Sequence, residues 1–160
     1  KGHKLRITAG HFNNQKGWFG EMMRVGGLMP LSPNFSAMKN FNEAMGHLLT
    51  HNNYVMFYPE QAMWLNYKKP RPLKLGAFKF AAENNVPIIP IFITMEDSIF
   101  LDDDNALVQS LSVHIMKPIG VDTDLNTFEN ATRMQKVAFE KMKNKYEEVY
   151  KIPLSYKGSE

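Results

Sequence analysis

Two short runs of strand-forming residues limit the folds open to this chain more than any other feature. Residues 54–58 and 86–93 are apolar or aromatic throughout, which is typical of strands that are covered on both faces. A segment with helical spacing of apolar residues precedes the first run, and another, at 76–85, separates the two runs. Strands that alternate with helices predict an α/β fold, with a mixed or mostly parallel sheet flanked by helices.

The remaining elements follow from the same periodicities. Strands are predicted at 5–9, Leu28–Leu31 and Leu107–Ile115, and helices at Trp18–Val25, 36–50 and Thr127–Tyr150. No Gly/Ser-rich linker interrupts the 160 residues, and a chain of this length can bury one sizeable core. We therefore expect residues 1–160 to form a single domain.

Composition excludes several kinds of chemistry. The chain has no cysteine, which rules out disulfides, thiolate nucleophiles and cysteine-ligated zinc or iron–sulfur sites. It also has no P-loop, no dinucleotide-binding G-x-G-x-x-G and no G-x-S-x-G nucleophile elbow, so we expect no cofactor. No apolar run approaches the ~18 residues that cross a bilayer. The net charge of +3 gives mild support for an anionic partner.

Three sets of polar residues contain residue types found in metal or catalytic sites, but each lacks the other residues that such a site requires. His47 and His51 have the i, i+4 spacing of a zinc pair, but no third ligand is evident, which favours a polar helix end. The three residues Asp102–Asp104 lack the glycine and distal glutamate of a calcium loop, which favours a solvated turn. His114 lies in an apolar strand and is interpreted as structural. We therefore expect no metal site.

The first predicted helix leaves two interpretations open. Its bulky apolar residues, with one arginine among them, have the composition of a membrane-surface patch. The same residues would also serve to pack a short helix on the sheet. The residues concerned are Trp18, Phe19, Met22, Met23 and Arg24.

The most informative stretch follows the strand at 54–58. Pro59 ends the strand, and Glu60 comes directly after it, where open α/β sheets bind their ligands. No acidic residue occurs between Gln61 and Lys79. Cations this close together repel one another unless an anion joins them, so the loop predicts a phosphate-binding site. The five cations are Lys68, Lys69, Arg71, Lys74 and Lys79.

Four short blocks resemble the glycerolipid acyltransferases, the 1-acylglycerol-3-phosphate acyltransferase superfamily. Residues 58–61 (YPEQ) resemble the F-P-E-G block, and 74–78 (KLGAF) the K-x-G-A helix start. Residues 86–91 (VPIIPI) resemble the V-P-I-(I/V)-P block, and Gly27 precedes a strand as in the family's second block. Order and spacing agree over about residues 5–119. Five glycines and prolines of these blocks are expected to have structural roles: Gly27, Pro59, Gly76, Pro87 and Pro90.

The resemblance implies an enzyme that moves a fatty acyl group to a hydroxyl of a phosphorylated, (lyso)phospholipid-type acceptor. It implies acyl-CoA or acyl carrier protein as the donor and co-substrate, and a place at the cytoplasmic face of a membrane. In the family, the histidine of an H-x-x-x-x-D block is the general base, and the aspartate orients it. In this chain we expect the acceptor to be bound by Glu60, Gln61, Lys69, Arg71 and Lys74.

The chain departs from the family pattern at its phosphate ligands. Ser32 and Pro33 stand where the second block usually closes with an arginine, and Met63 replaces a further arginine. Gln61 takes the place of the glycine in F-P-E-G and adds bulk beside the glutamate. The acceptor is therefore expected to differ from lysophosphatidic acid.

The catalytic block is missing from these 160 residues, because none of the five histidines is followed by aspartate at the family's spacing. We assign no catalytic residue and expect the chain to be the inactive carboxyl-terminal portion of a larger acyltransferase domain, peripheral to the membrane or anchored by a segment outside the chain. The residues five places after His3, His11, His47, His51 and His114 are Thr8, Lys16, Asn52, Met56 and Ile119.

Two other functions stay open. A member that never had the catalytic pair would be a non-catalytic module that binds lipid or phosphate. A basic nucleic-acid-binding domain would use Trp64 and Tyr67 to stack bases and the cations to pair with phosphates. The nucleic-acid interpretation is the weaker one, because the cations cluster in one loop and form no long stripe, and we expect no nucleic-acid partner.

Overall fold

The computed structural model describes residues 4–10, 16–31, 35–51, 53–61, 66–101 and 107–156. It divides into two compact units, Lys1–Pro59 and Glu60–Glu160, and each unit is described by itself. The expectation that residues 1–160 form a single domain stays a prediction.

The first unit is built on a parallel sheet of three strands. Its elements are β1 (Lys4–Gly10), α1 (Trp18–Val25), β2 (Leu28–Leu31), α2 (Phe35–Thr50) and β3 (Asn53–Met56). The strand order is β2-β1-β3, with both neighbours parallel to β1. Thr8 in the central strand is buried, and its hydroxyl donates to the carbonyl of Met56 at 2.9 Å. A buried hydroxyl is thereby paired, as burial of a polar group requires.

Gly27 joins α1 to β2 in a conformation that suits glycine. Its φ of +97° lies in the region that other residues avoid, and a Cβ there would stand 3.0 Å from the carbonyl oxygen of Leu5. The carbonyl of Gly27 accepts a hydrogen bond from the N–H of Ile7 at 3.1 Å. The close approach of the two backbones gives this motif glycine a physical role.

The second unit joins a β-hairpin to two helices. Its elements are α3 (Gly76–Glu83), β4 (Ile91–Leu101), β5 (Leu107–Ile115) and α4 (Thr127–Tyr150). β4 and β5 pair antiparallel, and an isolated bridge between Ile88 and Ile119 continues the pairing. A capping box between Asn126 and Glu129 begins α4. The core of this unit includes Phe78, Phe92, Ala131, Met134, Ala138 and Met142.

The mixed α/β architecture is confirmed, but two predicted strands differ from the observed ones. β4 begins at Ile91 and not at residue 86, because Pro87 and Pro90 have no N–H to donate to a ladder. β4 is also not covered on both faces, since Phe92 and Thr94 are buried while Ile91 and Ile93 are exposed. The other strand, β3, ends at Met56, two residues before the predicted end.

The apolar side chains that follow helical spacing along α4 are mostly buried. Ala131, Met134 and Tyr146 are buried, whereas Phe128 in the first turn is 65% exposed. Among the helices that the structure describes, none is both long and apolar enough to cross a membrane.

Candidate functional site

Glu60 and Arg71 meet at the start of the second unit. Burial raises the pKa of Glu60 above its ordinary value. A hydrogen bond from the backbone N–H of Arg71 and the charge of its guanidinium oppose that rise. The guanidinium Nη1 of Arg71 is itself buried. The structure therefore brings together two of the predicted acceptor-binding residues and leaves both half-buried.

The backbone conformation of Gln61 explains why the resembled F-P-E-G block has glycine at this position. Its φ of +54° is left-handed, and the resembled block has glycine at this position. Its side chain is exposed. The turn after Pro59 thus has a left-handed residue, although this residue is glutamine and not glycine, which adopts the conformation most easily.

The basic loop is anchored from one side by α4 and by the segment that follows it. Pro70 is buried, and its carbonyl accepts a hydrogen bond from the hydroxyl of Tyr156 at 2.5 Å. Gln135 of α4 donates from Nε2 to the carbonyl of Leu73 at 2.6 Å. A loop held at both of these carbonyls can present Arg71, which lies between them, in one orientation.

Most of the loop's cations have acceptors within the protein. Lys68 pairs with Asp97 at 3.3 Å, and Lys79 with Glu83 at 3.7 Å. Lys69 donates from Nζ to the carbonyl of Ser155 at 2.7 Å. The argument that five neighbouring cations need an external anion is therefore wrong for these residues. Lys74 is exposed directly before α3.

Tyr156 lies close to Glu60, Tyr67 and Tyr146, and the ring of Tyr150 contacts that of Tyr146. The pKa of Tyr156 is raised by burial, then by the nearby Tyr67, Glu60 and Tyr146. The rings of Tyr146 and Tyr150 are 4.9 Å apart. Tyr150 accepts from the N–H of Met95 at 2.8 Å and donates to its carbonyl at 3.0 Å. Through Tyr156, this cluster reaches the carboxylate of Glu60.

Sequence reasoning missed the residues that hold the loop. Gln135, Ser155 and Tyr156 were assigned no role, and no local pattern marks them. Gln135 contacts a residue 62 positions away, and Tyr156 one 86 positions away. Such contacts arise from the packing of α4, and no periodicity in the sequence predicts them.

The glycines and prolines of the four blocks differ in their surroundings. Gly76 opens α3, and a Cβ there would meet nothing within 4 Å. Pro90 is buried, Pro59 is half-buried and Pro87 is exposed. Their roles stay predictions, as do those of Glu60, Gln61, Lys69, Arg71 and Lys74 in acceptor binding.

The histidines that the structure describes make local contacts. The rings of His47 and His51 stack 4.1 Å apart, and Nδ1 of His51 lies 2.7 Å from the carbonyl of His47 at the end of α2. Nε2 of His114 lies 2.8 Å from the hydroxyl of Thr94, which fits a structural histidine. Within the described ranges, no group of three or more His, Asp or Glu side chains is placed to hold a metal ion.

Several residues considered above lie outside the described part of the chain. They are His3, His11, Ser32, Pro33, Met63, Trp64, Asp102, Asp103 and Asp104.

The model of a protein family described as Acyltransferase matches residues 2–94, which is more than half of the chain. The matched range includes Glu60, Gln61 and Arg71, and it ends before β5 and α4. No curated protein and no solved structure matches the chain significantly.

Proposed function

Because this chain belongs to the acyltransferase family, we propose that it binds a phosphorylated lipid acceptor for transfer of a fatty acyl group to the acceptor's hydroxyl. The observation that carries the proposal is the Glu60–Arg71 pair in an anchored loop inside the matched range. The family supports acyl transfer in general. The identities of the acceptor and of the donor are our proposals.

In this proposal, Arg71 binds the acceptor's phosphate. A guanidinium presents parallel N–H donors that match two phosphate oxygens, and anchoring at Pro70 and Leu73 limits the side chain's freedom. Glu60 is a positioning residue, because its carboxylate accepts from the backbone N–H of Arg71 and neutralises the guanidinium's charge when no phosphate is bound. Exposed Lys74 adds a point charge near the same loop.

The donor we propose is acyl-CoA or acyl carrier protein. In the transfer, the acceptor oxygen forms a C–O bond with the thioester carbonyl carbon, the C–S bond breaks, and the hydroxyl proton ends on the released thiol. No residue of this chain is assigned to move that proton, since none of its five histidines has the H-x-x-x-x-D spacing. The proposed place of the reaction is the cytoplasmic face of a membrane, with the protein held there peripherally or by a segment outside this chain.

The missing H-x-x-x-x-D pair favours a second candidate, a non-catalytic module that binds lipid or phosphate at the same loop. The two candidates share the acceptor site and differ in turnover. For the 160-residue chain we expect no transfer from acyl-CoA above that of the Glu60→Ala variant. Turnover clearly above this control would contradict the expectation.

Acceptor binding is tested in calorimetry by titrating the chain with short-chain lysophospholipids that differ in head group, with lysophosphatidic acid as one of them, because the acceptor is expected to differ from lysophosphatidic acid. We expect Arg71→Lys to weaken binding about tenfold, near 1.4 kcal/mol, because the charge stays but the paired donors are lost. Lys117→Gln removes an exposed cation of the same unit outside the loop and should leave binding unchanged. Equal binding by Arg71→Lys and the unsubstituted chain would contradict the proposal, as would a complete absence of binding.

A further inference from the structure

Helix α1 directs most of its apolar side chains away from the rest of its unit, while Met23 is half-buried. Trp18, Met22 and Val25 are 77%, 51% and 87% exposed, whereas Gly20 is buried. With about 100° between successive residues, the three exposed side chains fall within about 60° of one another, and Gly20 lies on the opposite side. The apolar stripe of this helix is therefore its outermost part, the reverse of the arrangement in an ordinary surface helix.

Phe19 extends this stripe. It is 42% exposed, and its ring meets that of Trp18 edge to face with centroids 6.0 Å apart. The α1 apolar face consists of Trp18, Phe19, Met22 and Val25. Neighbouring exposed apolar side chains of this size mark an interaction site more often than scattered single ones.

Charge indicates the kind of partner that fits this face. Residues 1–59 carry six Lys or Arg and two Asp or Glu, a net charge of +4, while residues 60–160 carry 13 and 14, a net charge of −1. The α1 apolar face lies on the basic unit, with exposed Lys16 before the helix and exposed Arg24 in its last turn; exposed Glu21 in the first turn is the one acidic residue of the helix. An apolar and aromatic face on a unit of net positive charge matches the interface of an anionic membrane.

We propose that the α1 apolar face docks on an anionic lipid surface. Trp18 and its neighbours insert among the head groups, where tryptophan is favoured, while Lys16 and Arg24 lie near lipid phosphates. Eight residues form only about two turns, so the binding is weak, reversible and dependent on anionic lipid. The assignment deepens the membrane location proposed above and rests on it, but its readout is lipid binding and is separate from acceptor binding at Arg71.

The test is sedimentation of the full chain with vesicles of phosphatidylcholine, with and without phosphatidylserine. We expect binding to the phosphatidylserine vesicles, and a loss of about tenfold or more in Trp18→Ser/Met22→Ser, whose exposed side chains can change without disturbing the core. Phe128→Ser is the matched control, because Phe128 is 65% exposed on the other unit, and its binding should equal that of the unsubstituted chain.

Fluorescence adds a measurement at the site itself. The chain has two tryptophans, so Trp64→Phe leaves Trp18 as the reporter. We expect its emission to shift to the blue with phosphatidylserine vesicles, and the shift to weaken in Lys16→Gln/Arg24→Gln.

Three results would overturn the assignment. They are an absence of binding to both vesicle types, equal binding by Trp18→Ser/Met22→Ser, and an equal loss in Phe128→Ser. A dimer that depends on Trp18 and Met22, found without vesicle binding, would assign the face to a second copy of the chain. If the chain binds vesicles but Arg71→Lys binds the acceptor as well as the unsubstituted chain does, only the acceptor site is refuted. The docking of α1 on lipid would then stand.

Discussion

The hydroxyl of Tyr156 donates a hydrogen bond of 2.5 Å to the carbonyl of Pro70, 86 residues earlier in the chain. Beside it, Nζ of Lys69 donates to the carbonyl of Ser155 at 2.7 Å. The segment after α4 therefore holds the loop that contains Arg71. The candidate site lies within the range that matches the acyltransferase family, but its geometry depends on residues beyond that range.

Removing the Tyr156 hydroxyl should loosen this loop. In Tyr156→Phe, the carbonyl of buried Pro70 loses its donor, and we expect the free energy of unfolding to fall by about 1–2 kcal/mol. Urea denaturation measures the change. Tyr58→Phe is the control, because Tyr58 is 63% exposed, and a surface substitution of this kind changes stability by less than about 0.5 kcal/mol. Equal losses in the two variants would show that the hydrogen bond contributes nothing.

Glycine should be favoured over alanine at position 61. The left-handed φ of +54° costs residues with a Cβ about 1–2 kcal/mol, so we expect Gln61→Gly to be more stable than Gln61→Ala by about 1 kcal/mol. Thermal or urea unfolding measures the difference. At exposed Asn144 in α4, the same pair of substitutions should show the opposite order, with glycine about 1 kcal/mol less stable. Alanine equal to or better than glycine at both positions would contradict the left-handed turn.

Two motif glycines should respond differently to alanine. Gly27→Ala combines a φ of +97° with a Cβ 3.0 Å from the Leu5 carbonyl, and we expect a loss of roughly 2–3 kcal/mol. Gly76→Ala meets nothing within 4 Å at the start of α3 and should be neutral or slightly stabilising. Urea denaturation of both variants is the measurement. A tolerated Gly27→Ala would mean that the junction between α1 and β2 can relax.

The pH dependence of stability should report the environment of Glu60. Because burial raises the pKa of Glu60 in the folded state, the folded chain binds the proton more tightly than the unfolded chain does. Its contribution to stability is complete below the ordinary value of 4.5, and it is lost as the pH rises through the higher folded-state pKa. Glu60→Gln does not titrate.

The measurement for Glu60 is the difference in unfolding free energy between the unsubstituted chain and Glu60→Gln, followed from acid to neutral pH. We expect the unsubstituted chain to lose stability relative to the variant as the pH rises through this window. Glu129→Gln, at an exposed capping position, is the control for a carboxylate without burial. A difference for Glu60 that grows in the opposite direction would indicate a lowered pKa.

Local patterns predicted most elements of this fold. The bounds of α1, β2, β5 and α4 match the predictions, because helical or alternating periodicity and the turns at their ends depend on near neighbours in the chain. The prolines at 87 and 90 show the limit of such patterns. An apolar run predicted one strand, but pairing needs N–H groups that these residues do not have, and β4 begins only at Ile91.

By itself, the sequence determined the α/β class, the family and the residue types of the candidate site. The order of the four short blocks was enough to indicate the family, and the family model that matches residues 2–94 confirms it. Only the tertiary structure decided which cations have internal acceptors, that Glu60 contacts Arg71, and that α1 turns its apolar side outward. These relationships depend on which elements pack together, and packing joins residues such as Pro70 and Tyr156 that no local periodicity relates.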